Sequence, residues 1–66
     1  MSFKPQFEFT GGEKQTNGQA FATKAEALSS AEDRFMRWTM PKGFDAIESD
    51  EPVTYRWDAT MGDVRL

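Results

Sequence analysis

The stretch Thr23-Lys24-Ala25-Glu26-Ala27-Leu28-Ser29-Ser30-Ala31-Glu32-Asp33-Arg34-Phe35-Met36-Arg37-Trp38 decides the fold class. It opens on a hydroxyl with a carboxylate three residues later, the pattern of a capping box. Thr23 Oγ1 can accept from the Glu26 amide while the Glu26 side chain reaches back toward the Thr23 amide. Ala25, Leu28, Ala31, Phe35 and Trp38 then recur at helical spacing, with Ala27 and Met36 on the margins of that face. Glu26, Ser29, Ser30, Asp33 and Arg37 fall on the opposite side, which makes the segment amphipathic. Arg34 and Arg37 sit near the carboxyl end, where cations suit the helix dipole. Pro41 ends the helix at about Thr39, and Gly43 frees the chain to turn.

On both sides of this helix the period changes to two. Phe3, Pro5, Phe7 and Phe9 alternate with Lys4, Gln6, Glu8 and Thr10, which reads as a strand with one buried face. Pro5, lacking an amide donor, suits a strand start or a sheet edge. Residues 10–18 are rich in turn formers and read as a mobile loop, with Asn17-Gly18 as its tightest turn. Gln19 to Ala22 reads as a short return strand with Phe21 inward. After the helix, Phe44 to Glu48 gives a strand, Ser49-Asp50-Glu51-Pro52 a turn, and Val53 to Asp58 a returning strand with Val53, Tyr55 and Trp57 inward. Ala59 to Leu66 shows no period and reads as a flexible tail. The expected fold is α+β in the order β-β-α-β-β: a small antiparallel sheet of two hairpins with one helix across a single face. Residues 1–58 form one domain and 59–66 its tail. The expected core is Phe3, Phe7, Phe9, Phe21, Leu28, Phe35, Trp38, Phe44, Val53, Tyr55 and Trp57, and Met36 and Met40 are expected to close its lower end.

Composition narrows the chemistry. The 66 residues include no Cys and no His, which excludes disulfides, thiolate or imidazole metal sites, and Ser-His or Cys-His nucleophilic pairs. A chain this short buries only about 60% of the surface its unfolded form exposes. Its aromatic share of 14% must then supply much of the stability. No apolar run reaches the roughly 20 residues that span a bilayer, so no membrane association is expected. Met1-Ser2-Phe3-Lys4-Pro5 lacks the apolar run of a signal peptide, and the expected location is the cytoplasm.

The net charge of −3 is local. Residues 1–23 and 24–38 each balance to zero, whereas residues 44–58 set Asp45, Glu48, Asp50, Glu51 and Asp58 against Arg56 alone, a net −4. Nothing supplies the clustered Lys and Arg that phosphate backbones need, so direct nucleic-acid binding is not expected. Carboxylates above an aromatic strand suit docking onto a basic protein surface, where charge steers encounter and neighbouring side chains anchor it. The residues assigned to that contact are Asp45, Ile47, Glu48, Asp50, Glu51 and Arg56. The bland alternative is a solvated turn that keeps a small protein soluble. A calcium-like site from Asp45, Glu48, Asp50 and Glu51 lacks the ordered oxygen spacing of an EF-hand loop. Carboxylate catalysis needs a walled pocket, for which one helix and a small sheet leave little volume. No catalytic residue, metal or cofactor is assigned. Tyr55 and Trp57 could stack bases, but their shared face belongs to the core. Three further readings stay open: a DNA mimic occupying a nucleic-acid-binding protein, an oligomeric small-ligand binder with its site between subunits, and a structural component of a larger particle. Edge strands in so small a sheet also allow homodimerisation.

The Thr-capped helix ending in Arg37-Trp38-Thr39, followed by Glu48-Ser49-Asp50-Glu51-Pro52-Val53 and Tyr55-Arg56-Trp57, resembles small accessory proteins of tailed phages and prophages. The resemblance spans about residues 19–58. It implies a factor expressed in a host cell that binds and blocks a host protein, and it brings no site residues with it.

Overall fold

The computed structural model describes residues 1–37 and 41–66. The chain runs β1 (Ser2–Phe9), β2 (Lys14–Thr16), α1 (Lys24–Arg37), β3 (Pro41–Ser49), β4 (Tyr55–Asp58) and β5 (Gly62–Arg65). It is a small α+β fold with one helix and antiparallel sheets, but the pairing is not that of two successive hairpins. One sheet has the order β2-β1-β3, and β4 and β5 form a second.

The first turn is tighter than turn-former composition suggested. The Phe9 amide donates to Glu13 O at 2.8 Å and the Gly12 amide to Phe9 O at 2.8 Å. Gly12 has φ 86°, a left-handed conformation that a side chain would strain. This turn delivers β2 against β1, in register Phe7↔Gln15, inside what read as a mobile loop. Every β2 side chain is exposed, so no apolar alternation marked it. The expected return strand shrinks to a bridge: Phe3 and Phe21 exchange both backbone hydrogen bonds at 2.8 Å. Ala20 O then accepts from the amides of Thr54 and Tyr55 at 2.9 and 3.0 Å, which ties the second sheet to the first.

Pro5 lies in the central strand, not at an edge. Because Phe3 bonds toward Phe21, the odd residues of β1 turn their backbone groups to that side and the even ones to β3. The missing amide of Pro5 therefore faces the break between Thr16 and Phe21, where no ladder bond is lost.

The largest correction concerns β3. It pairs with β1 from Ser2↔Ser49 to Phe9↔Pro41, not with β4. This register sets Phe44 opposite Phe7 and Ala46 opposite Pro5, so both strands direct their apolar residues to one face. The chain leaving β3 must then pass the start of β1 to reach Ala20. Ser2 Oγ donates to Glu51 O at 2.7 Å on that path, and Ser2 is fully buried. The stretch expected to be a tail holds β5, paired with β4 in register Tyr55↔Arg65. Its turn needs Gly62 at φ 81°.

Helix α1 packs across β1 and β3 and also touches β4 and β5. The face it buries is rotated from the expected one: Ala27, Ser30 and Ala31 are buried, while Ala25 and Met36 are exposed. The sheets carry the large side chains, and small ones on the helix let its backbone approach them. Phe21, Ala27 and Ala46 form the core cluster, with Phe3, Leu28, Tyr55 and Trp57 packed partly buried against it. Of the described residues in the expected inward set, Phe7 and Phe21 are buried, and Phe3, Phe9, Leu28, Phe35, Phe44, Val53, Tyr55 and Trp57 are half-buried. Phe35 meets Phe44 with ring centroids 5.0 Å apart. Trp38, Thr39 and Met40, and with them the expected end of the helix, lie outside the described residues.

Candidate functional site

An acidic stretch placed on a hairpin tip would present its carboxylates together. Placed on β3 and the chain leaving it, the same residues take separate positions. Asp45 is exposed on the sheet face away from the helix, beside half-buried Ile47, which stands opposite Lys4. Glu48 is exposed on the helix side of the same strand, opposite Phe3. Asp50 is exposed just past the strand end. Glu51 is exposed too, but its carboxylate is spent on Lys4 Nζ, a side chain only 12% exposed. Arg56 sits on β4, and its guanidinium pairs with Asp58 at 3.3 Å. Between β3 and β4 lie β1 and the Ala20–Phe21 segment, about three strand spacings or roughly 14 Å. Arg56 is therefore not a neighbour of Ile47. Nor do the acids form paired rows, since Asp45 and Glu48 face opposite ways. Among the described residues no three acidic side chains gather to hold a metal ion.

What the structure brings together is an uncompensated edge. In the order β2-β1-β3, strand β3 has, among the described residues, a neighbouring strand on one side only. Among the described residues Asp45, Glu48 and Asp50 have no ion pair. The nearby cations are engaged elsewhere: Lys4 with Glu51, and Lys42 with Glu8 at 3.9 Å. The Asp45 carboxylate does accept a backbone hydrogen bond: the Ala46 amide donates to its Oδ1 at 2.8 Å.

No family model, curated protein or solved structure matches this chain. Among the described residues no helix is long and apolar enough to cross a membrane.

A second arrangement had no signal in the sequence. Ser30, Asp33, Arg34 and Arg37 on α1 face Met61, Gly62 and Asp63 across a cleft of about 360 Å³, roomier than so short a chain promised. Gln19 Nε2 donates to Asp63 Oδ2 at 2.7 Å, and Arg34 reaches the same oxygen and Gln19 Oε1, each at 3.4 Å. Ser30 Oγ and Asp63 Oδ1 are buried with no hydrogen-bond partner among the described residues. The network fastens the helix to the β4–β5 hairpin. Its members lie as far apart as residues 19 and 63, so no local spacing could reveal it.

At the hairpin turn, Asp58 Oδ1 accepts from the amides of Thr60 and Met61 at 2.8 and 2.9 Å. The Met61 amide, then the Thr60 amide and the Arg56 guanidinium, hold the Asp58 carboxyl below its ordinary value. A lowered folded pKa favours the native state above the unfolded value, about 3.9, and that contribution is lost as pH falls through the folded value. Thermal melts between about pH 5 and 2 should show this loss, and Asp58→Asn, which keeps an oxygen acceptor but no charge, should flatten it. Melting curves of the two proteins that run parallel throughout that range would refute the assignment.

Proposed function

We propose that this chain is a small non-enzymatic binding protein, an accessory or inhibitory factor that sets an acidic edge against a basic surface of a partner protein. The observation that carries the reading is the charge balance along β3: Asp45, Glu48 and Asp50 are exposed and without an ion pair among the described residues, while Lys4, Lys42 and Arg56 are spent on Glu51, Glu8 and Asp58. A half-buried Ile47 beside Asp45 adds an apolar contact. Glu51 and Arg56 leave the contact set, because the charge of each is already neutralised by an intramolecular ion pair. Uncompensated carboxylates along one edge raise the encounter rate with a cationic partner and disfavour acidic ones.

The test is charge reversal at the two acids that make no internal bond. Glu48→Lys with Asp50→Lys should leave stability within about 0.5 kcal/mol, as exposed substitutions usually do. Capture by the immobilised wild-type chain should enrich basic proteins, each then measured in purified form. Binding should weaken between about 0.1 and 1 M salt, where the screening length falls from about 10 to about 3 Å. The double variant should lose these partners. Equal retention by both chains at low salt would rule the acidic edge out.

A further inference from the structure

We infer that the outer edge of β3 takes up an extended basic segment of a partner protein as an added strand, with the Asp45 carboxylate as the gate. The inference deepens the acidic-edge reading and rests on it.

The ladder geometry says which backbone groups are on offer. The even residues of β1 face β3, so their partners Gly43, Asp45, Ile47 and Ser49 turn inward. Phe44, Ala46 and Glu48 therefore direct their amides and carbonyls outward. Among the described residues no strand pairs with that side, and neither the Phe44 nor the Glu48 amide finds a hydrogen-bond acceptor there. Ala46, midway between them, does: its amide donates to Asp45 Oδ1. The edge thus offers two free donors flanking one that is stoppered by its own neighbour.

A stopper of this kind sorts partners. An incoming strand must draw the Asp45 carboxylate off the Ala46 amide before it can complete a ladder. A second copy of this chain would bring acids against acids, so self-pairing is opposed twice, by the stopper and by like charge. A basic strand supplies the cation that compensates Asp45 as it leaves the amide. Asp45 and Glu48 lie three residues apart on opposite faces, so the fitting segment carries cations three residues apart, one for each face. Backbone bonds to Phe44, Ala46 and Glu48 then give affinity, and the two carboxylates select the partner.

The test uses a capped peptide with lysine at every third position, separated by valine and threonine, and the same peptide N-methylated on alternate amides. Methylation blocks a ladder and spares the charge. The plain peptide should shift the Phe44, Ala46 and Glu48 amide signals and slow their hydrogen exchange, with affinity about tenfold or more above the methylated form. Equal affinity for both would overturn strand addition while leaving charge docking intact; binding of neither would remove both readings. Asp45→Ala, or Asp45→Thr should alanine unsettle the strand, should bind a threonine-for-lysine control peptide several-fold better than wild type and self-associate in sedimentation. If neither change appears, Asp45 is not the gate.

Discussion

Phe21→Ala should abolish cooperative folding or lower the melting temperature by about 12 °C or more. Phe21 is fully buried, lies in the central cluster with Ala27 and Ala46, and meets Tyr55 with ring centroids 6.2 Å apart. Its backbone makes the bridge to Phe3, and the adjacent Ala20 carbonyl receives Thr54 and Tyr55. The side chain is therefore the filling at the point where both sheets and the helix meet. Truncating such a ring to alanine costs about 3–5 kcal/mol. At about 0.05–0.15 kcal/mol per residue, a domain of this size has roughly 3–10 kcal/mol in all. Circular dichroism during heating reads the outcome, with Phe21→Leu as the milder control. A fall of less than about 5 °C in the alanine variant would mean the core lies elsewhere.

Glu26→Ala should cost about 2–4 kcal/mol, well beyond a lost helix cap. The Glu26 amide donates to Thr23 Oγ1 at 3.2 Å, and the Thr23 hydroxyl donates to Glu26 Oε1 at 3.1 Å. The side chain thus reaches the cap hydroxyl, not the Thr23 amide. Its other oxygen accepts the Trp57 amide at 3.0 Å, so one carboxylate starts the helix and holds β4. Removing it loses a cap interaction of about 1 kcal/mol and leaves a partly buried amide unsatisfied, about 1–3 kcal/mol more. Thr23→Ala loses the cap alone. Urea unfolding of the two variants separates the contributions. If Glu26→Ala proves no more damaging than Thr23→Ala, the bond to β4 contributes nothing.

Several features were legible because their causes are local. Thr23 and Glu26 are three residues apart, and β1 declares itself through alternation within nine residues. The rotation of the helix face was hidden by residue size: Leu28 and Phe35 draw attention to one side, whereas Ala27 and Ser30 join the expected Ala31 against the sheets because they are small. Strand β2 was hidden because Lys14, Gln15 and Thr16 are all exposed and polar. The acidic stretch was legible as a concentration of charge but not as a surface. Nothing near Glu51 in sequence announces Lys4, which neutralises it from 47 residues away.

By itself, then, the sequence determined one capped amphipathic helix, antiparallel strands around it, and acids confined to one region. Those follow from periodicity and composition, which act over a few residues. Only the tertiary structure decided that β3 lies against β1, that its far side is an open edge, and that Asp45 stoppers it. Strand pairing is settled by backbone bonds and face matching between distant segments. Phe44 and Ala46 find Phe7 and Pro5 under the helix, and the edge is what remains.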